Sequence, residues 1–223
     1  MTISRKSELE ENLRKVEQRV AETLASAGRD RSEVTLIVVT KTFPVEDAML
    51  LYELGVRDFG ENRDEEGSTK APILPSDACW HFQGQVQSRK IASICSWADI
   101  IHSLDSLEHA EKFAKRESEE GKVHQFFLQV SLDPQAQHRG GVPISEISDF
   151  LARSPITITG LMVVPPVDAV PREAFATVAS LAKAHGLSKI SMGMSGDFED
   201  ALRAGATHIR VGSSILGSRP PLA

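Results

Sequence analysis

Tyrosine is almost missing from this sequence: Tyr52 stands alone among 223 residues, and aromatics together make up 5%. A tyrosine-based acid or base therefore has a single candidate. Cysteine is equally scarce. Cys79 and Cys95 form neither a CxxC pair nor a disulfide framework, so plain thiols in a reducing cytoplasm are expected. No apolar run approaches the ~20 residues of a membrane span. The charged, amphipathic start MTISRKSELEENLRKVEQRV resembles no secretory signal. Positive charge is in deficit, 25 Lys+Arg against 31 Asp+Glu, and forms no basic stripe, which excludes a general nucleic-acid binder. His81, His102 and Cys79 lack the close spacing of a zinc site, so no metal is expected. No large exposed apolar stripe is evident either, and a monomer is expected.

What is present is an alternation. Leu9, Leu13, Val16, Val20 and Leu24 recur at helical spacing, so residues 3–27 read as one amphipathic helix, closed by Gly28. Val34–Val39 is too short for a buried helix and is rich in β-branched residues, as a strand buried on both faces is. Seven further strands are predicted at 56–60, 79–83, 99–102, 124–130, 156–163, 188–192 and 208–212. Helical patterns lie between them at 44–54, 87–95, 106–120, 144–152, 172–185 and 198–204, with a charged segment from Arg63 and a short helical tail. Eight strand–helix units without a linker predict a single (β/α)₈ TIM-type barrel over 1–223, with residues 1–28 as an extra covering helix. An open doubly wound sheet is the rival, but GxGxxG is absent after the first strand.

In such a barrel chemistry belongs at the C-terminal ends of the strands. Of ten lysines, only Lys41 directly follows the end of a buried apolar strand. Desolvation there favours a neutral amine, which can form a Schiff base with an aldehyde. Pairing with a carboxylate such as Glu61 is the plainer alternative. The last two strand ends read SMGMSGDFEDA and RVGSSILG. Gly193, Gly196 and Gly212 would let backbone N–H groups approach an anion, Ser195, Ser213 and Ser214 add hydroxyls, and helix starts follow. Turn glycines with Ser195 as an N-cap are the alternative. Arg210, two residues before Gly212, could reach the heteroatom edge of a bound ring or sit in a structural ion pair. Asn62 and His81 could line the same mouth or be satisfied polar residues. The acidic run Glu61 to Glu66 reads as a solvated loop and helix start.

A Schiff-base lysine opposite a phosphate cradle points to pyridoxal 5′-phosphate (PLP). The runs TKTFP, FGENRDEEGSTK, WHFQGQVQSRK, GLMVVPP, SMGMSGDFEDALRAG and IRVGSSILGSR closely resemble the pyridoxal phosphate homeostasis protein family over about Val34 to Arg219. The resemblance implies the barrel of the alanine racemase N-terminal domain, with PLP held by Lys41 as an aldimine. It also implies phosphate contacts from Ser195, Gly212 and Ser213, Arg210 near the pyridine nitrogen, and pocket-lining roles for Asn62, His81 and Met162. Two positions depart from the family pattern: Arg89 stands where asparagine is common, and Arg139 where lysine is usual. Both would keep positive charge near the mouth.

The expected role is a cytoplasmic PLP carrier that contributes to PLP homeostasis, with apo PLP-dependent enzymes as possible recipients. Racemase chemistry resembles a two-base reaction with a lysine and a tyrosine from a second domain. This chain is expected to lack that domain, and Tyr52, on the helix after the first strand, should face away from the mouth. A general base must come within about 3 Å of the proton it takes. The alternatives are a small PLP enzyme using His81 as second base, or a Schiff-base aldolase acting on a sugar phosphate.

Overall fold

The computed structural model describes residues 4–133, 140–166 and 168–218. Its strands are β1 (Thr35–Val39), β2 (Asp58–Glu61), β3 (Cys79–Phe82), β4 (Ile100–Leu104), β5 (Gln125–Ser131), β6 (Val142–Pro143), β7 (Ile158–Met162), β8 (Lys189–Met194) and β9 (His208–Val211). All pairings are parallel. They run β1–β2–β3–β4–β5–β7–β8–β9 and return to β1, closing an eight-stranded barrel. The two-residue β6 pairs with β5 beside the ring. The chain is the (β/α)₈ barrel that its alternating pattern predicts.

Helices α1 (Arg5–Ser26), α2 (Val45–Glu53), α3 (Asp64–Lys70), α4 (Ile91–Trp97), α5 (Leu107–Glu120), α6 (Ile147–Arg153), α7 (Pro171–Ala184), α8 (Phe198–Arg203) and α9 (Ser213–Leu216) complete the fold. Two expected helices begin late. The segments 88–90 and 144–146 are 3₁₀ turns that lead into α4 and α6. The second strand starts at Asp58 instead of Val56, because Val56 N–H still closes the end of α2 on Leu51 O.

Alternation along each strand divides the core. Leu36, Val38, Phe59 and Leu161 pack outward against the helices in the main apolar layer. Ile100, Phe127 and Met162 meet inside the ring. Register extends this inner row: Ile37 pairs with Arg210, Gly60 with His81, and Met162 with Ser191. The interior is therefore polar toward β3, β4, β8 and β9.

Helix α1 is capped by Ser4, whose hydroxyl accepts from Ser7 N–H, and buries Leu9, Val16, Val20 and Leu24. It braces the seam where the ring closes. Arg5 donates to Asp47 Oδ1 (3.0 Å) and Oδ2 (2.7 Å) on α2 and to Leu216 O (3.0 Å) on α9. Asn12 donates to Ile215 O at 3.0 Å. The helices that follow β1 and β9 are thereby tied together.

Candidate functional site

A cavity of about 360 Å³ opens at the C-terminal ends of the strands. Lys41, Asn62, Met162, Ser195, Arg210, Gly212 and Ser213 all line it, so seven of the eight residues expected at a cofactor site meet there. Val39, Phe43 and Gln83 also line the wall; they were not singled out in the sequence, since side chains of these types carry no chemical signature.

Lys41 sits in the turn after β1, and that turn is held from outside the ring. Thr40 Oγ1 donates to Glu61 Oε1 at 2.6 Å. Lys70 Nζ donates to Glu61 Oε1 (2.6 Å) and to Thr40 O (2.9 Å). Thr42, the one non-glycine residue with positive φ among the described residues (φ 69°), donates its N–H to Glu66 Oε2 at 2.6 Å. A β-branched residue in that region is strained, and it persists where the surroundings over-determine it. Burial raises the Glu61 carboxyl above the usual value, while Lys70 and Thr40 pull it down.

The acidic run is therefore not the solvated loop that its charge suggests. Glu61 and Asp64 are buried, and so is Lys70. Asp64 Oδ1 accepts from Trp97 Nε1 (3.0 Å) and Ser93 Oγ (2.8 Å). The missed signal was the spacing Asp64–Gly67–Lys70, one inner helix face. The carboxylate that Lys41 was expected to meet in the plainer reading is engaged by Lys70 and Thr40.

At the same cavity, the β8 and β9 loops interlock. Ser195 Oγ accepts from Gly212 N–H and Ser214 N–H, both at 3.3 Å. Asp197 Oδ1 accepts from Met194 N–H at 2.6 Å. Two glycines permit this arrangement. Gly193 has φ +91°, and an added Cβ would stand 2.6 Å from Ala201 Cβ; at Gly212 it would stand 2.9 Å from Val39 O. A cradle this close to the backbone, with serine hydroxyls at its lip, fits a phosphate group.

Arg210 reaches the cavity from inside the ring. It donates from one Nη to Ser191 Oγ (2.8 Å) and from the other to Val163 O (2.9 Å). Among the described residues its hydrogen-bond partners are these neutral oxygens, so the ion-pair alternative is not what the structure shows. Burial lowers its pKa to about 10, with Asp197 opposing. A guanidinium can only donate, which suits the nitrogen of a pyridine ring.

His81 is the correction. Its side chain is fully buried below the cavity, with Nδ1 2.9 Å from His102 Nε2 and Nε2 3.1 Å from Asp58 Oδ1. It lies inward but one layer too deep, because the cavity begins at the next inward position of the strand, Gln83. Asp58, Cys79 and His81 also bring ligand-type atoms within 4.8 Å of one another, a grouping invisible in linear spacing. Burial pushes both thiols, Cys79 and Cys95, up to about 12. Arg89 is exposed, bonds Gln87 Oε1 at 3.3 Å and does not line the cavity; Arg139 lies outside the described residues. Tyr52 donates its hydroxyl to Asp77 on the outside of the ring. Among the described residues no helix is long and apolar enough to cross a membrane.

The alanine racemase N-terminal domain family matches residues 6–220. A pyridoxal phosphate homeostasis protein of Corynebacterium glutamicum is 37% identical over 226 residues, covering 92% of this chain and 99% of that one. The chain belongs to the pyridoxal phosphate homeostasis protein family. Among solved structures, PipY of Synechococcus elongatus, with PLP bound, is 34% identical at a TM-score of 0.74, covering 89% of this chain and 100% of its own. The crystal structure of an unknown protein from Bifidobacterium adolescentis superposes with a TM-score of 0.86 at 28% identity, covering 96% of this chain and 97% of its own. The resemblance expected from the motifs thus holds over nearly the full length of this family member.

Proposed function

We propose that this chain holds PLP at the mouth of its barrel and acts as a carrier in PLP homeostasis, without robust catalysis of its own. The observation that carries the reading is one cavity lined together by Lys41, Arg210 and the Ser195–Gly212–Ser213 cradle. When bound, the cofactor supplies an aldehyde that an amine can capture and a ring that withdraws electrons. Lys41 presents the amine from a turn fixed by Glu61, Lys70 and Glu66. Ser195, Gly212 and Ser213 would hold the anionic tail, and Arg210 would donate to the ring nitrogen. Asn62 and Met162 bound the ring's place in the cavity.

Two placements support a carrier over an enzyme. Tyr52, the sole tyrosine, bonds Asp77 outside the ring. His81, the second base that an enzymatic reading would need, lies beneath the cavity and is engaged by His102 and Asp58. Neither lines the cavity with Lys41. In this reading the protein works in the cytoplasm as a monomer and hands PLP to apo-enzymes.

The test is direct. Protein loaded with PLP should show a visible absorption band. Borohydride should then fix a pyridoxyl group on Lys41, read by mass spectrometry. Lys41→Ala should lose both signals, and common amino acids should turn over no faster than with free PLP. A label on another lysine, or turnover well above free PLP, overturns the proposal.

A further inference from the structure

The buried contacts of Arg210 continue as a chain across the barrel. Ser191 Oγ, which accepts from Arg210, lies 2.8 Å from His102 Nδ1. His102 Nε2 lies 2.9 Å from His81 Nδ1, and His81 Nε2 lies 3.1 Å from Asp58 Oδ1. Arg210, Ser191, His102 and His81 are buried; Asp58, at the start of β2, is half-buried at the opposite end of the barrel.

The proton positions in this chain follow from its two ends. A guanidinium has no acceptor, so Ser191 Oγ accepts from Arg210 and has its own proton to give to His102 Nδ1. His102 then carries its proton on Nε2 and donates to His81 Nδ1. His81 in turn carries its proton on Nε2. The other end agrees with this direction: a carboxylate only accepts, so His81 Nε2 carries a proton to give to Asp58. In this direction both histidines are Nε2–H tautomers, and every link points from Arg210 toward Asp58. Burial acts in the same direction on His102, holding its pKa well below the usual 6.5.

We propose that Asp58 is a positioning residue for Arg210, acting through His81, His102 and Ser191 to hold the guanidinium in the cavity. The terminal acceptor fixes the His81 tautomer, His81 fixes His102, and His102 turns the Ser191 lone pair toward Arg210. The proposal rests on the PLP reading only for its effect on the bound cofactor. The same polarity disfavours a metal at Asp58, Cys79 and His81, because a ligating Nε2 would have to give up the proton it donates.

Long-range proton–nitrogen correlation spectra of the imidazoles, recorded on the PLP-free protein near neutral pH, test the chain independently of PLP. His81 and His102 should both appear as neutral Nε2–H tautomers in the wild type. An Nδ1–H form or a charged ring at either position overturns the assignment. Asp58→Ala should disturb the His81 signal, and Asp58→Asn, whose Oδ1 still accepts, should restore it. On PLP-loaded protein, Asp58→Ala should release PLP about tenfold faster and shift its absorption band, with Asp58→Asn near wild type. Unchanged release and an unchanged band in Asp58→Ala, in a protein that does load PLP, would sink the positioning role while leaving the carrier reading intact. Zinc bound one-to-one and lost in Cys79→Ser would also overturn it, since His81 Nε2 would then be a ligand.

Discussion

Two buried polar networks flank the cavity, and they are built on opposite principles. Outside the ring, Glu61, Lys70 and Glu66 are formal charges packed between β2 and α3, and they lie within nine residues of one another. Inside the ring, His81, His102 and Ser191, neutral in the proton order proposed above, come from three different strands and separate the charges of Arg210 and Asp58. The charged network fixes a backbone turn, because Lys70 Nζ and Glu66 end on Thr40 O and Thr42 N–H. The neutral one fixes a side chain, because each of its members has one proton to pass on. Charge serves where a strained loop must be clamped; directional neutral groups serve where a donor must be aimed through a closely packed interior.

The sharpest way to break this contrast is to remove one charge from the outer network. Lys70→Met leaves the Glu61 carboxylate buried without its cation, and a cost of ~3–5 kcal/mol is expected from urea unfolding. The loss should shrink in acid, where Glu61 takes a proton. Pairing the change with Glu61→Leu should recover most of it, since replacing both charges by apolar groups removes the desolvation penalty as well. A double variant as unstable as the single one would mean that the clamp, not the buried charge, carries the energy.

The inner network should fail more gently. Ser191→Ala leaves His102 Nδ1 and one Arg210 N–H without their partner, and about 1–3 kcal/mol is expected, the cost of an unsatisfied buried group. PLP retention should fall with it. A loss as large as that of Lys70→Met would erase the distinction between the two networks.

This asymmetry also explains what could be read from the sequence. Lys41, Ser195, Arg210, Gly212 and Ser213 were legible because the barrel rule places function at strand ends, and those ends are short and well marked. Glu61 and Lys70 were not, because a run of charges ordinarily signals solvent, and only the spacing of Asp64, Gly67 and Lys70 betrays an inner helix face. His81 was placed on the correct face of β3 but at the wrong height, since alternation gives direction and not depth. The chain through His102 and Ser191 joins residues 89 apart and depends on ring closure.

Acid should act on the buried histidines inside the ring before the outer network. In the unfolded chain His102 and His208 titrate near the usual 6.5. In the folded protein burial keeps His102 neutral well below that value and His208, beside His81, Lys189, Asp58 and Arg210, neutral to about 3. Between those values the unfolded chain binds more protons, so the contribution is complete above about 6.5 and is lost as pH falls. From about pH 7 to 5.5 each histidine should cost about 1 kcal/mol, measured as the drop in unfolding free energy. His208→Gln should flatten that slope; a slope unchanged in the variant would place the titration elsewhere.

The smallest effect expected comes from an ion pair of nearly the same length as the buried one. Lys90 Nζ stands 2.5 Å from Glu65 Oε1, against 2.6 Å for Lys70 and Glu61, yet the Glu65 side chain is 70% exposed where that of Glu61 is 0%. Water already solvates Glu65, so forming the contact exchanges one set of partners for another and orders two long side chains. Lys90→Ala should leave the unfolding midpoint unchanged within error and raise the Glu65 pKa, which Lys90 holds below its usual value, back toward that of a free carboxyl. Because the two pairs match in distance and differ in burial, a midpoint shift in Lys90→Ala comparable to that in Lys70→Met would show that proximity, and not exclusion of water, sets what these charges are worth.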